Sequence, residues 1–126
     1  MKPARVIVLL LLGAALTLTL GCAEERTPRP MTLEGNAGRG RAAVARLQCG
    51  ACHEIPYMRS ARGRLGPSLD GFAQRVYLAG KWPNNKDQLV RWLQDPPAMA
   101  PLTAMPALAV DAAMAQDIAA YLYTLD

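Results

Sequence analysis

The chain has 126 residues, with 14 Lys or Arg against 10 Asp or Glu, and its length suits one small domain. Its 52% hydrophobic content overstates the core, because much of it sits in an N-terminal apolar run. Without Lys2 and Arg5 of that segment, 12 basic residues face 10 acidic ones, too small an excess for a nucleic-acid binder.

The N-terminus reads as an export signal. Met1 to Arg5 carries Lys2 and Arg5 and is followed by a 15-residue apolar run, Val6 to Leu20. Fifteen residues at about 1.5 Å each fall short of the roughly 30 Å hydrocarbon core, which favours a cleaved signal over residues 1–21 to a spanning helix. An uncleaved anchor, extended a few residues each way, is the alternative. Gly21 before Cys22 resembles a bacterial lipoprotein signal, in which the cysteine is lipidated and becomes the mature N-terminus, although Thr19 stands where leucine is usual. Lipidation of Cys22 leaves no unpaired thiol in an oxidising compartment; the competing reading is a secreted protein with an incidental cysteine. The domain is thus expected on the periplasmic side, anchored to the membrane by lipid, with residues 22–35 as a polar, proline-broken tether.

Beyond the tether, a first helix is predicted from about Arg39 into Cys49, with Gly40, Val44 and Leu47 on one face. Gly40 is a poor helix former, so its value lies in the close approach of another backbone. The helix leads into Cys49-Gly50-Ala51-Cys52-His53, the Cys-x-x-Cys-His signature for attachment of a c-type haem. Two thiols three positions apart can each add to one haem vinyl group, and the next residue offers an imidazole to the iron. His53 is the sole histidine of the chain. A zinc site would need two further Cys or His ligands, and only Cys22 remains. A thiol redox pair is expected after a strand in a βαβ setting, and no run of β-branched strand residues follows the signal.

The segment from Ile55 to Asn84 is rich in Gly, Pro and Arg. Within it, Leu65-Gly66-Pro67-Ser68-Leu69 offers a stiff carbonyl at Pro67 that can accept from the second nitrogen of His53, with Leu69 packing on the proximal haem face. A simple turn is the other reading. Asn84-Asn85 precedes a predicted helix over Lys86 to Asp95, whose apolar face is Leu89, Trp92 and Leu93. Four prolines in the 11 residues from Pro96 to Pro106 predict that this helix stops and a rigid, extended loop follows. Such a loop can supply a methionine as sixth haem ligand. Met31 lies in the tether, Met58 is close to His53 in sequence, and Met114 belongs to a helix stripe, which leaves Met99 and Met105. Met105, held between Thr103 and Pro106, is the predicted ligand. Asp111 caps the last helix, where Met114, Ile118, Tyr121, Leu122 and Leu125 make the apolar stripe and Gly40 is expected to cross against Tyr121.

From Asn36 to Asp126, the order and spacing of these pieces resemble the class I c-type cytochromes. The carriers are Cys49-x-x-Cys52-His53, Gly66-Pro67-x-Leu69, the Trp92 helix, Pro101-x-Thr103-x-Met105-Pro106 and Ile118-Ala119-Ala120-Tyr121-Leu122. The resemblance implies an all-α fold over 36–126, with short helices wrapped around one covalent haem c. It implies His53 and Met105 as axial ligands, with the Pro67 carbonyl accepting from His53. It also implies Arg75, Asn84 and Thr103 near the haem propionates and Trp92 on the methionine side; Asn84 stands where mitochondrial cytochromes have tryptophan. The run Arg75-Val76-Tyr77-Leu78-Ala79-Gly80, with Pro83-Asn84-Asn85 and Trp92, is similar to the cytochrome domain attached to subunit II of some haem-copper oxidases.

With both axial positions filled by protein, the expectation is a one-electron carrier and not an enzyme. It would serve a redox donor and acceptor, a haem-copper oxidase among the candidates, as a monomer or as a subunit of a respiratory complex. The alternative is a haem subunit of a redox enzyme, or a ligand sensor, in which Met105 is displaced; no distal histidine or second haem motif supports it. Ten Lys or Arg lie between Arg39 and Arg91 and none follows. They suit either a basic face that steers an acidic partner or ordinary solvated arginines.

Overall fold

Asn36 opens the first helix: its side chain accepts from Arg39 N (2.9 Å), and α1 runs from Ala37 to Arg46. The computed structural model describes residues 34–126, so the signal, Cys22 and the tether up to residue 33 lie outside the described residues. Helix α1 stops short of Cys49, against expectation, because Gln48 takes a left-handed backbone (φ 57°) and breaks the ladder. Next comes a short antiparallel ribbon, β1 (Tyr77–Leu78) and β2 (Trp82–Pro83), turned by Ala79 and Gly80 at φ 49° and 69°. The fold is therefore mostly helical, with one short two-stranded ribbon that the sequence did not signal. Two-residue strands are too short to show an alternating pattern.

Asn85 caps α2 (Lys86–Gln94) through Gln88 N at 3.0 Å, and Leu89 and Trp92 are buried from its inner face. The prolines that follow do not make an extended loop at once. Asp95 caps Ala98 N (3.1 Å), and Pro96 and Pro97 occupy the first turn of a four-residue helix, α3 (Pro96–Met99). A first-turn proline gives up no hydrogen bond, since its missing N–H has no acceptor there anyway. Only the residues beyond Ala100 carry Met105 on non-helical chain.

The last helix, α4 (Ala112–Leu122), starts at Asp111, whose carboxylate accepts from Met114 N at 2.8 Å. Its stripe is wider than predicted: Ala115, Ala119 and Ala120 are buried along with Ile118, Tyr121 and Leu122, while Met114 is half-buried with its sulfur near Arg46 Nη2 (3.5 Å). The small alanines let α1 lie close. A Cβ on Gly40 would collide with the Asp117 carbonyl, and one on Gly35 with that of Gln116. Gly40 thus crosses the Asp117–Ile118 backbone, one turn before Tyr121, where the sequence had placed it.

Arg39 fixes that register. Its Nε and Nη2 lie 2.6 and 2.8 Å from the two carboxylate oxygens of Asp117, and Asn36 N donates to Oδ1 at 2.7 Å. The Arg39 hydrogen bonds, then that of Asn36, hold the Asp117 carboxyl below the usual aspartate range. The native state therefore binds the proton later than the unfolded chain, and the stabilisation is complete above about pH 4. It is lost as pH falls through the depressed folded value. Melting temperatures measured downward from neutral pH should drop in this acid window, and Asp117→Asn should remove that part of the dependence.

Candidate haem site

The Cys-x-x-Cys turn is clamped by a second loop. A single 3₁₀ turn, Cys49–Ala51, leaves α1, and His53 N closes it on Cys49 O at 2.9 Å. Residues 61–66 run back beside it: Gly63 N donates to Gly50 O (3.0 Å) and Gly66 N to Cys52 O (2.8 Å). Side chains on Gly50 or Gly63 would strike Ala61 or the Ala51–Cys52 backbone, so these glycines allow the contact. Sequence reasoning missed both roles: Gly50 stands at a variable position of the Cys-x-x-Cys motif, and the signal of Gly63 was a glycine between two arginines.

His53 Nδ1 lies 2.7 Å from the Pro67 carbonyl oxygen. A carbonyl can only accept, so Nδ1 carries a proton, and in the neutral ring Nε2 keeps the lone pair that a metal needs. Gly66 backs the ring: a Cβ there would stand 2.7 Å from Nδ1 and 2.9 Å from Nε2.

These groups open onto a cavity of about 890 Å³, towards the upper end of the roughly 300–1,000 Å³ usual for small-molecule sites. Cys49, Cys52, His53, Gly66, Pro67 and Leu69 line it, and so do Trp92, Thr103, Met105 and Arg75 of the predicted set. Met105 is the one methionine among the described residues that reaches it. Thr103 Oγ1 accepts from Met105 N (3.2 Å), which shapes the chain on either side of Ala104. Trp92 packs on Trp82, ring centroids 5.9 Å apart. Most of the remaining lining is apolar, from Val44, Leu78, Leu89, Leu108, Ile118 and Leu122.

Two expectations fare differently. Asn84 does not line the cavity: its Nδ2 donates to Phe72 O (3.1 Å) and Arg75 O (3.0 Å), and its Oδ1 accepts from Tyr123 Oη (3.1 Å). Leu102, an apolar residue of the loop that carries Met105, is at the mouth and fully exposed. Arg75 faces the cavity, yet its guanidinium is engaged with the carbonyls of Ser68 and Asp70 (the latter at 3.0 Å).

The donor set discriminates between chemistries. Among the described residues no group of three or more His, Cys, Asp or Glu could hold a metal ion alone. Cys49 and Cys52 are free thiols, and burial, with Cys52 adding to it, pushes the Cys49 thiol up despite a backbone hydrogen bond. A redox-active pair needs the opposite shift. A flat, largely apolar macrocycle attached to two thiols, with an imidazole and a thioether to ligate its metal, fits what the cavity offers.

No family model matches the chain. Two curated proteins are similar to part of it. The cytochrome c oxidase subunit 2 of Alkalihalophilus pseudofirmus (strain ATCC BAA-2126 / JCM 17055 / OF4) is 31% identical over 71 residues, 56% of this chain and 20% of that protein. The cytochrome c oxidase subunit 2 of Bacillus sp. (strain PS3) is 29% identical over 79 residues, 61% of this chain and 22% of that protein. The chain thus spans about a fifth of the length of the curated relatives it matches.

Proposed function

We propose that this chain is a monohaem c-type cytochrome domain that passes single electrons to or from a respiratory partner. One observation carries the reading: Cys49, Cys52 and a His53 oriented through Pro67 share a single, mostly apolar cavity with Met105. Haem would supply a one-electron change at iron. Cys49 and Cys52 would hold it covalently, and His53 Nε2 and Met105 Sδ would ligate the iron. The Pro67 carbonyl keeps the imidazole in the right tautomer and raises its basicity. Leu69, Trp92 and the apolar walls exclude water, so that the two oxidation states differ little in structure. Arg75 and Thr103 are the polar groups of the wall to which propionates would turn.

The matched relatives are subunits of cytochrome c oxidase, which supports a respiratory electron-transfer context and a haem-copper oxidase as partner. Arg59, Arg62 and Arg64 line an open groove of about 770 Å³, together with Glu54 and Asp70. Leu65, next in the chain, stands exposed at the cavity mouth. This placement favours an acidic partner over plain solvation of these three arginines. In this reading the domain sits on the periplasmic side, held by lipid on Cys22, as a monomer or as a subunit of a complex. No helix among the described residues is long and apolar enough to cross a membrane.

Covalent attachment tests the proposal. Expressed with a haem-attachment system, the protein should keep its haem through denaturing electrophoresis and weigh one haem more than the polypeptide. Cys49→Ser with Cys52→Ser should lose both. Haem that is released on denaturation, or that never binds, would overturn it.

A further inference from the structure

A polar brace backs the Pro67 loop: Asn84 and Tyr123 lie outside the cavity lining, and Phe72 and Arg75, on the cavity wall, connect them to the loop. Tyr123 Oη donates to Asn84 Oδ1 at 3.1 Å, and burial pushes the phenol up, so it remains a donor across neutral pH. Asn84 passes the contact on with both hydrogens of its amide, to Phe72 O (3.1 Å) and Arg75 O (3.0 Å). The Phe72 ring is fixed between the Tyr123 ring, 5.9 Å away, and the Arg75 guanidinium, 5.6 Å away. Arg75 then donates to the carbonyls of Ser68 and Asp70, on either side of Leu69, whose own N–H bonds Glu54 O at 2.8 Å. Pro67, one residue before Ser68, carries the carbonyl 2.7 Å from His53 Nδ1. The brace therefore runs from the C-terminal end of the chain to the backbone that aims the His53 acceptor.

We infer that Asn84, Arg75 and Tyr123 are positioning residues that set the strength of the His53–Pro67 hydrogen bond, and through it the electronic character of His53 as an iron ligand. Nothing else among the described residues ties the Ser68–Asp70 carbonyls to a folded element. A carbonyl held on line keeps the imidazole electron-rich, which favours ferric iron; a loosened one favours ferrous iron. The inference rests on the haem reading for its effect on potential, but the hydrogen bond itself belongs to the polypeptide.

The test is nitrogen-15 NMR of the His53 ring together with a redox titration, on the full chain as isolated, in the reduced state where haem is present. Asn84→Ala should speed solvent exchange of the Nδ1 proton roughly tenfold, the loss of about one hydrogen bond, and raise the midpoint potential. Tyr123→Phe, which removes one donor and keeps the ring, should shift both in the same direction by less. Arg75→Lys should fall between wild type and Arg75→Ala, because an ammonium can still donate to a carbonyl but lacks the planar guanidinium that lies on the Phe72 ring and holds Nη2 at both carbonyls. Val90→Ala, a substitution on α2 outside the brace, supplies a control of lowered stability. Exchange and potential at wild-type values in Asn84→Ala and Tyr123→Phe, or changes no larger than in Val90→Ala, would overturn the inference. A protein isolated without haem would sink the functional reading alone, and the exchange rates would still decide this one.

Discussion

Met105→Ala is expected to turn a closed site into an open one. The ferrous protein should then bind carbon monoxide readily, and the ferric protein should lose any methionine-to-iron absorption band. The midpoint potential should fall by an amount on the order of a few hundred mV, within the roughly 0.8 V that axial ligands command. The reason is positional. Met105 is the one cavity-lining methionine among the described residues. Met58 lines the separate arginine groove, the Met114 sulfur lies near Arg46, and Met99 ends the short helix α3. Among the described residues no second thioether stands ready to replace it. Met99→Ala should leave the spectrum as it is.

The second large effect is expected at Gly66. The Cβ introduced by Gly66→Ala would press on three atoms of the His53 imidazole, and Pro67, the next residue, holds the ring from Nδ1 at 2.7 Å. The ring can escape only by breaking that bond and leaving its orientation. Overpacking of this kind costs about 1–3 kcal/mol, and here the strain falls on the ligand. Low-spin haem should give way to a mixture of coordination states, and the melting temperature should drop. Gly71→Ala separates site damage from backbone strain: nothing lies within 4 Å of its Cβ, but its φ is +61°. It should cost about 1–2 kcal/mol, as forcing an L-residue into the left-handed region does, without touching the spectrum.

What was legible in the sequence was the chemistry that is local. Cys49, Cys52 and His53 declare themselves by spacing, and Asn85, Asp111 and the periodic Leu89 and Ile118 declare their helices. What was not legible depends on partners far along the chain. Gly40 signals a close approach without saying which turn of α4 it meets, and the answer comes from the Arg39–Asp117 pair, 78 positions apart. Asn84 could be aligned with a propionate neighbour, but its amide is committed to Phe72, Arg75 and Tyr123. Pro96 and Pro97 read as breakers because proline's role at a helix start depends on the cap before it, here Asp95. Leu102 is apolar and lies in the right loop, yet nothing in its identity reveals that it faces outward.

The central claim is that His53 and Met105 together close one haem site. It is tested most directly by the absorption spectrum of the reduced wild-type protein before and after carbon monoxide. The account predicts a low-spin spectrum that carbon monoxide leaves unchanged. A spectrum that shifts promptly to that of a carbon monoxide complex would mean that Met105 does not hold the iron, and would contradict it.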